Sequence, residues 1–374
     1  MNRFVTISLV VAVVLCGCAE KQPKPTAPLS LQGQWLVETN GEVMLDPQTS
    51  GLKFWRGKLL SVSDASADQS QRKQLHIIDP LTAQLAADSL PMMLSERVQQ
   101  SCFAGYLSDS PDLEALAIDP RNDNVFVVVT EDATRSTGMS EECHQRYKMT
   151  GSTDYPTVLI RLELQDDNSL LMTHARPIQY DPVFNLGDFP NDGVEGLAFG
   201  QDNILYLGVE KDAKGHARIF SLQINDDFWL SDEFAAVSDP QLFIPTYDSG
   251  NHPVNAMDYL PVADHKGFIV AAARNDDQLW IIDLEKQQPT RIVSLQFLAP
   301  TLTSSSDCEP WELMDNASIE GLAVANGRIW MINDPWRKNY MLNVQCESNR
   351  PKYQKMAPLL FSLPLEQVGL LSNR

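Results

Sequence analysis

The sequence predicts an all-β chain folded as a single β-propeller of five four-stranded blades, with an N-terminal strand closing the last blade. Three observations predict it. First, five short apolar strands open on nearly the same words: Gly51-Leu52, Glu114-Ala115-Leu116-Ala117, Glu195-Gly196-Leu197-Ala198, Asn255-Ala256-Met257 and Glu320-Gly321-Leu322-Ala323. Second, the small residues at 51, 115, 196, 256 and 321 are spaced 64, 81, 60 and 65 apart, longer than a solenoid unit and suited to a propeller blade with generous loops. Third, Gln34–Thr39 stands as a spare strand before the first repeat while the fifth repeat lacks a clear fourth strand, so pairing the two removes two exposed sheet edges. Six blades are the alternative, because the 81-residue interval has room for further strands. A β-sandwich would give no reason for the period.

Within each repeat the opening strand is apolar on both faces, as a buried strand should be, and Gly196–Phe199 is typical. The second strand ends in a polar or acidic cluster: Val62-Ser63-Asp64, Val129-Thr130-Glu131-Asp132, Val209-Glu210-Lys211-Asp212, Ala273-Arg274-Asn275-Asp276 and Ile332-Asn333-Asp334. Third strands are expected at Leu75–Asp79, Thr157–Leu164, Ala217–Ile224, Gln278–Leu284 and Pro358–Leu365. Weaker fourth strands are expected at Gln241–Tyr247 and Arg291–Leu298.

The first residues read as an address. Met1-Asn2-Arg3 is a short basic region, Phe4–Leu15 is apolar, and Leu15-Cys16-Gly17-Cys18 is a bacterial lipoprotein cleavage box with Cys18 as the lipidated residue. Twelve largely apolar residues, broken only by Thr6 and Ser8, are too few for a permanent span. Residues 1–17 are therefore expected as a signal peptide, 18–32 as the lipidated cysteine and a proline-rich tether, and 33–374 as the propeller. Ala19, rather than aspartate, follows Cys18, and the resemblance to sorted lipoprotein signals implies a lipid anchor in the outer membrane, with the domain expected to face the periplasm.

The net charge of −20 becomes −21 when Arg3 leaves with the signal. Such a surface repels nucleic acid, and it attracts cations. No linker divides the chain, and a monomer is expected. Cys102, Cys143, Cys308 and Cys346 remain after Cys16 and Cys18 are set aside, an even number suited to an oxidising compartment. Of the three connectivities, Cys102–Cys143 with Cys308–Cys346 is favoured. Each pair joins the loop before a repeat's first strand to the loop after its second, and those loops share one edge of a blade. No CxxC spacing supports a metal site instead.

In a propeller the first strands line the central channel, and the second strands return to the same mouth. Ser50, Glu114, Glu195, Asn255 and Glu320 should meet there with Asp64, Glu131 or Asp132, Glu210 or Asp212, Arg274 or Asp276, and Asn333 or Asp334. Crowded carboxylates repel unless a cation or protons intervene, and oxygen ligands of this kind suit Ca²⁺. Glu114, Glu195 and Glu320 are the expected calcium ligands and the candidate catalytic groups. Each glutamate has a competing role, bonding backbone amides of the next blade. Arg274 and Lys211 are expected as ion-pair partners of the acids.

These Glu-(Gly/Ala)-Leu-Ala openings, with the Val-Glu-Lys-Asp and Ile-Asn-Asp-Pro strand ends, resemble the propeller family called "esterase-like activity of phytase" and, more distantly, SdiA-regulated propellers. The resemblance implies a secreted or periplasmic propeller, often with calcium, sometimes credited with ester or phosphoester hydrolysis. It maps onto Glu114, Glu195 and Glu320, with Asp132, Glu210 and Asp334 behind them; Ser50 and Asn255 depart from it. No Gly-x-Ser-x-Gly elbow, phosphate loop, dinucleotide fingerprint or His-Glu-x-x-His occurs, and of six scattered histidines His252 is the best catalytic candidate. The first functional reading is a protein that binds a small molecule or a periplasmic partner. Loops 89–112, 133–156, 299–318 and 335–356, stapled by the two disulfides, would form its recognition surface, the last carrying Trp336, Arg337, Lys338, Tyr340 and Tyr353. The second is a metal-dependent esterase or phosphoesterase.

Overall fold

The structure is a computed structural model describing residues 27–131, 138–188, 193–301 and 308–370. Asp132, Cys18 and the signal sequence lie outside the described residues. The strands form consecutive antiparallel meanders. In the first, Thr49–Trp55, Lys58–Ser63, Gln74–Ile78 and Leu90–Leu94 pair in chain order. The second is Leu113–Ile118, Val125–Thr130, Val158–Leu164 and Leu170–Gln179. The third holds Val194–Phe199, Ile204–Val209 and Arg218–Gln223. Ala256–Val262, His265–Ala273, Gln278–Asp283 and Arg291–Pro300 make the fourth, and Ile319–Ala325, Arg328–Asn333 and Leu359–Pro364 the fifth.

The opening strand of each meander packs against the opening strands on either side, and Ile319–Ala325 returns to Thr49–Trp55, so the ring closes. Small residues at the openings permit that approach. A Cβ on Gly321 would stand 2.8 Å from the Cβ of Leu52 and 2.4 Å from Cγ2 of Ile332. Buried apolar side chains fill the wedges between neighbouring meanders; Val127, Val129 and Leu159 of the second, for example, share a cluster with Leu205, Leu207 and Phe220 of the third. This is a β-propeller.

The N-terminal segment supplies the outermost strand of the fifth meander, Gln34–Trp35 pairing antiparallel with Leu360 and Leu359. It is shorter than the expected 34–39, but the bond from the Leu36 amide to the Pro358 carbonyl continues its line. The fold also begins earlier than residue 33. Leu29–Gln32 runs parallel to Leu295–Leu298 of the fourth meander, so the end of the expected tether is a strand. Its alternation explains why: Leu31 is buried while Ser30 and Gln32 face outward.

The expected fourth strand at Gln241–Tyr247 is absent. Pro245 removes a backbone donor from that stretch and Pro240 another just before it, and Leu242, Ile244 and Tyr247 pack on a core cluster without a ladder. The edge of the third meander is instead met by Ser238, bridged to Ser221, after Ala235–Ala236 has paired in parallel with Ile178 and Gln179 of the second. The cysteines pair as Cys102–Cys143 and Cys308–Cys346. No helix among the described residues is long and apolar enough to cross a membrane.

Candidate functional site: an acidic cavity at the strand openings

Three of the glutamates owe their direction to one local irregularity. The register between first and second strands skips a residue between Leu113 and Ala115, between Val194 and Gly196, and between Ile319 and Gly321. The skipped residues are Glu114, Glu195 and Glu320. A bulge leaves its extra residue outside the ladder and re-aims its side chain; here all three carboxylates line a common cavity of about 270 Å³. The first repeat carries the same irregularity at Gly51, whose φ of 61° is the left-handed conformation a glycine supplies most easily.

Asp64, Glu131, Glu210 and Asp334, from the ends of second strands, line the same cavity, as does Asp112. Eight carboxylates therefore face one guanidinium, that of Arg274. Gln48, Ser66 and Trp336 complete the wall. Of these, the sequence reading missed Asp112, Gln48 and Ser66 as site residues. Asp112 stands only two positions before Glu114, which was a signal in plain view.

Other expected members lie elsewhere. Asp212 accepts bonds from the Lys214 and His216 amides and pairs with Arg218 at 3.4 Å. It shapes a turn. Asp276 accepts from His252 Nδ1 at 2.8 Å, and that ring stacks on Tyr247 with centroids 3.7 Å apart, so the best catalytic histidine of the sequence is a packed loop residue outside the cavity wall. Asn255 is fully buried and does not line the cavity, and neither its Oδ1 nor its Nδ2 has a hydrogen-bond partner among the described residues.

Arg274 replaces the acid in the fourth repeat and reaches across both neighbours, to Glu210 of the third meander at 2.9 Å and to Glu320 of the fifth. Burial works against its charge, yet the surrounding carboxylates, Glu320 and Glu210 foremost, push its pKa further up. On the opposite flank, Glu114 accepts a bond from the Ser50 hydroxyl at 3.0 Å. Backbone stitching between blades falls to other acids: the Ala65 amide donates to Asp112 at 2.9 Å and the Gly193 amide to Glu131 at 3.3 Å. Below the acids, Lys53 crosses from the first opening strand to the carbonyls of Met257 and Leu322 and to Asp258 Oδ1, at 2.6, 3.2 and 2.9 Å. This tie joins three opening strands.

The electrostatic consequence is uniform in sign. Burial first, then the charges of Glu195 and Asp112, hold Glu114 well above the usual carboxylate range. Burial, Glu131 and Glu320 do the same to Glu195. Asp334 is raised by burial and by Glu320, and Asp64 is pushed up to about 7 by burial and by Asp112. Even Glu320 is raised by burial, although Arg274 opposes it. Two triplets can each bring three carboxylate oxygens within 4.8 Å of one another: Asp112, Glu114 and Glu131, and then Glu131, Glu195 and Glu210. Glu320, expected as a metal ligand, belongs to neither triplet. An all-carboxylate donor set suits a hard cation such as Ca²⁺.

No protein-family profile matches the chain, and no curated relative matches it. Among solved structures, a luciferin-regenerating enzyme is similar over 85% of this chain and 78% of its own, with 10% identity and a TM-score of 0.40. The PQQ-bound aldose sugar dehydrogenase of Streptomyces coelicolor covers 88% of this chain and 96% of its own at 11% identity and a TM-score of 0.38. An exo-β-1,3-galactanase from Clostridium thermocellum, 1,3Gal43A, covers 89% and 62% at 9% identity and a TM-score of 0.42. At these values the likenesses carry nothing about chemistry, and the functional reading rests on the cavity.

Proposed function

We propose that the protein is a lipid-anchored propeller of the bacterial outer membrane, facing the periplasm, whose acidic cavity binds Ca²⁺ and through it a small molecule or a protein partner. One observation carries the cation. Asp334 is 5% exposed and lines a cavity of eight acids and one arginine, and its Oδ1 is buried with no partner among the described residues. A buried carboxylate oxygen in that state costs free energy that a bound cation would return. The resemblance to esterase-like phytase propellers agrees with calcium. Binding is preferred to hydrolysis because the eight carboxylates of the wall single out no nucleophile or acid–base pair.

The test is thermal. Millimolar Ca²⁺ should raise the melting temperature of the chelator-treated protein, by an amount set by its preference for the folded state. Glu114→Gln combined with Glu195→Gln should give a folded protein whose melting ignores calcium. A wild-type protein that shows no calcium shift overturns the reading. The anchor has its own test: Cys18→Ser should move the protein from the membrane pellet to the soluble periplasmic fraction, and unchanged fractionation would remove the lipoprotein assignment.

A further inference from the structure

We propose that the cavity is a dinuclear cation site, in which Glu131 bridges one divalent ion held by Asp112 and Glu114 and a second held by Glu195 and Glu210. This rests on the cation-binding reading above and goes beyond it in number, place and bridging residue.

Distance sets the argument. A calcium ion sits roughly 2.3–2.6 Å from each oxygen ligand, so two oxygens on one ion are separated by no more than about 5 Å. Each triplet meets that limit at 4.8 Å, and the five residues group as two triplets rather than one quintet, with Glu131 common to both. A single ion would therefore leave one triplet as crowded carboxylates. Charge points the same way. One dication offsets less than half of five carboxylates, whereas two nearly balance them.

The arrangement also has a direction. The first triplet comes entirely from the second meander, while Glu195 and Glu210 belong to the third. Arg274 already engages Glu210 at 2.9 Å, so the second position must share a ligand with a guanidinium. The ion on Asp112 and Glu114 should bind first and more tightly. Independently of the triplets, the orphaned Asp334 Oδ1 in the same cavity marks a wall built for a positively charged occupant.

Calorimetric titration of CaCl₂ into the chelator-stripped mature chain, in detergent, should give two ions per chain with unequal affinities. Mn²⁺ at two equivalents should give the broadened, exchange-coupled electron paramagnetic resonance spectrum of a bridged pair. Glu114→Gln and Glu210→Gln should each keep one ion, and Glu131→Gln should lose the coupled spectrum. Should Glu131→Gln fail to fold by circular dichroism, the other two variants still decide. One ion per wild-type chain, or two with an uncoupled manganese spectrum, overturns the bridged pair and leaves the cation reading standing. Zero ions overturns both.

Discussion

Lys53 is the clearest case of a residue whose role depends on its neighbours. Burial pulls its pKa down and Asp258 opposes that, while the two carbonyls and the carboxylate give its three donors partners. Asp258 in turn accepts the Val324 amide at 2.7 Å. Removing one member of such a pair strands the other, which typically costs about 3–5 kcal/mol. Lys53→Met should therefore lower the unfolding free energy by about that much in urea denaturation. A loss under about 0.5 kcal/mol would mean that the tie is dispensable. A lysine inside the apolar run Leu52–Trp55 was visible in the sequence, but its partners lie roughly 200 or more residues away.

At the scale of the element, the strand openings were legible because a bulge has a spelling. The acid that leaves the ladder is followed by glycine or alanine, and the small residue lets the next opening strand come close, as at Gly321. The fourth repeat breaks the spelling consistently. Ala256 pairs with Ala272 without a skipped residue at the opening, Asn255 stands where the acid would be, and Arg274 fills the gap by bonding Glu210 and Glu320. The edge of the third meander was illegible for the opposite reason. A two-residue strand and a single bridge leave no period to read, whereas the apolar residues at 242, 244 and 247 imitate one.

The whole molecule should show its acidic cavity in its pH dependence. Asp64 titrates near 7 in the fold against 3.8 for an ordinary aspartate, and Glu114, Glu195 and Asp334 move in the same direction. The folded state therefore holds protons that the unfolded chain has released, so this contribution to stability is full at low pH and is lost as pH rises through the folded pKa values. His76 has the opposite sign. Burial pulls it down to about 4 from 6.5, so its contribution is present above 6.5 and is lost as pH falls. In chelator, the melting temperature should fall between about pH 7 and about pH 8, where the opposing slope of His76, and of His174 which burial also pulls down to about 4, fades away. His252 adds to the fall: burial lowers its pKa, but the Ser249 carbonyl and Asp276 leave it raised overall. Asp277, outside the cavity wall, adds to it as well, pushed up to about 7 by burial and by Asp315. Calcium separates the contributions, because it should suppress the cavity part alone. A melting temperature that is flat with pH in chelator, or a fall that calcium leaves unchanged, would show that the cavity acids are not under strain.

By itself the sequence determined the repeat, the propeller class, the disulfide pairing and the gathering of acids at one mouth. Each of these follows from spacing along the chain combined with the fixed geometry of a strand. Only the tertiary structure decided which acids share a cavity, that Asp212 and Asp276 turn away to Arg218 and His252, that Arg274 joins Glu210 to Glu320, and that Lys53 ties three opening strands together. Those outcomes depend on side chains from different repeats meeting within a few ångströms. Such encounters are set by twist, bulges and packing between blades, which spacing along one strand does not encode.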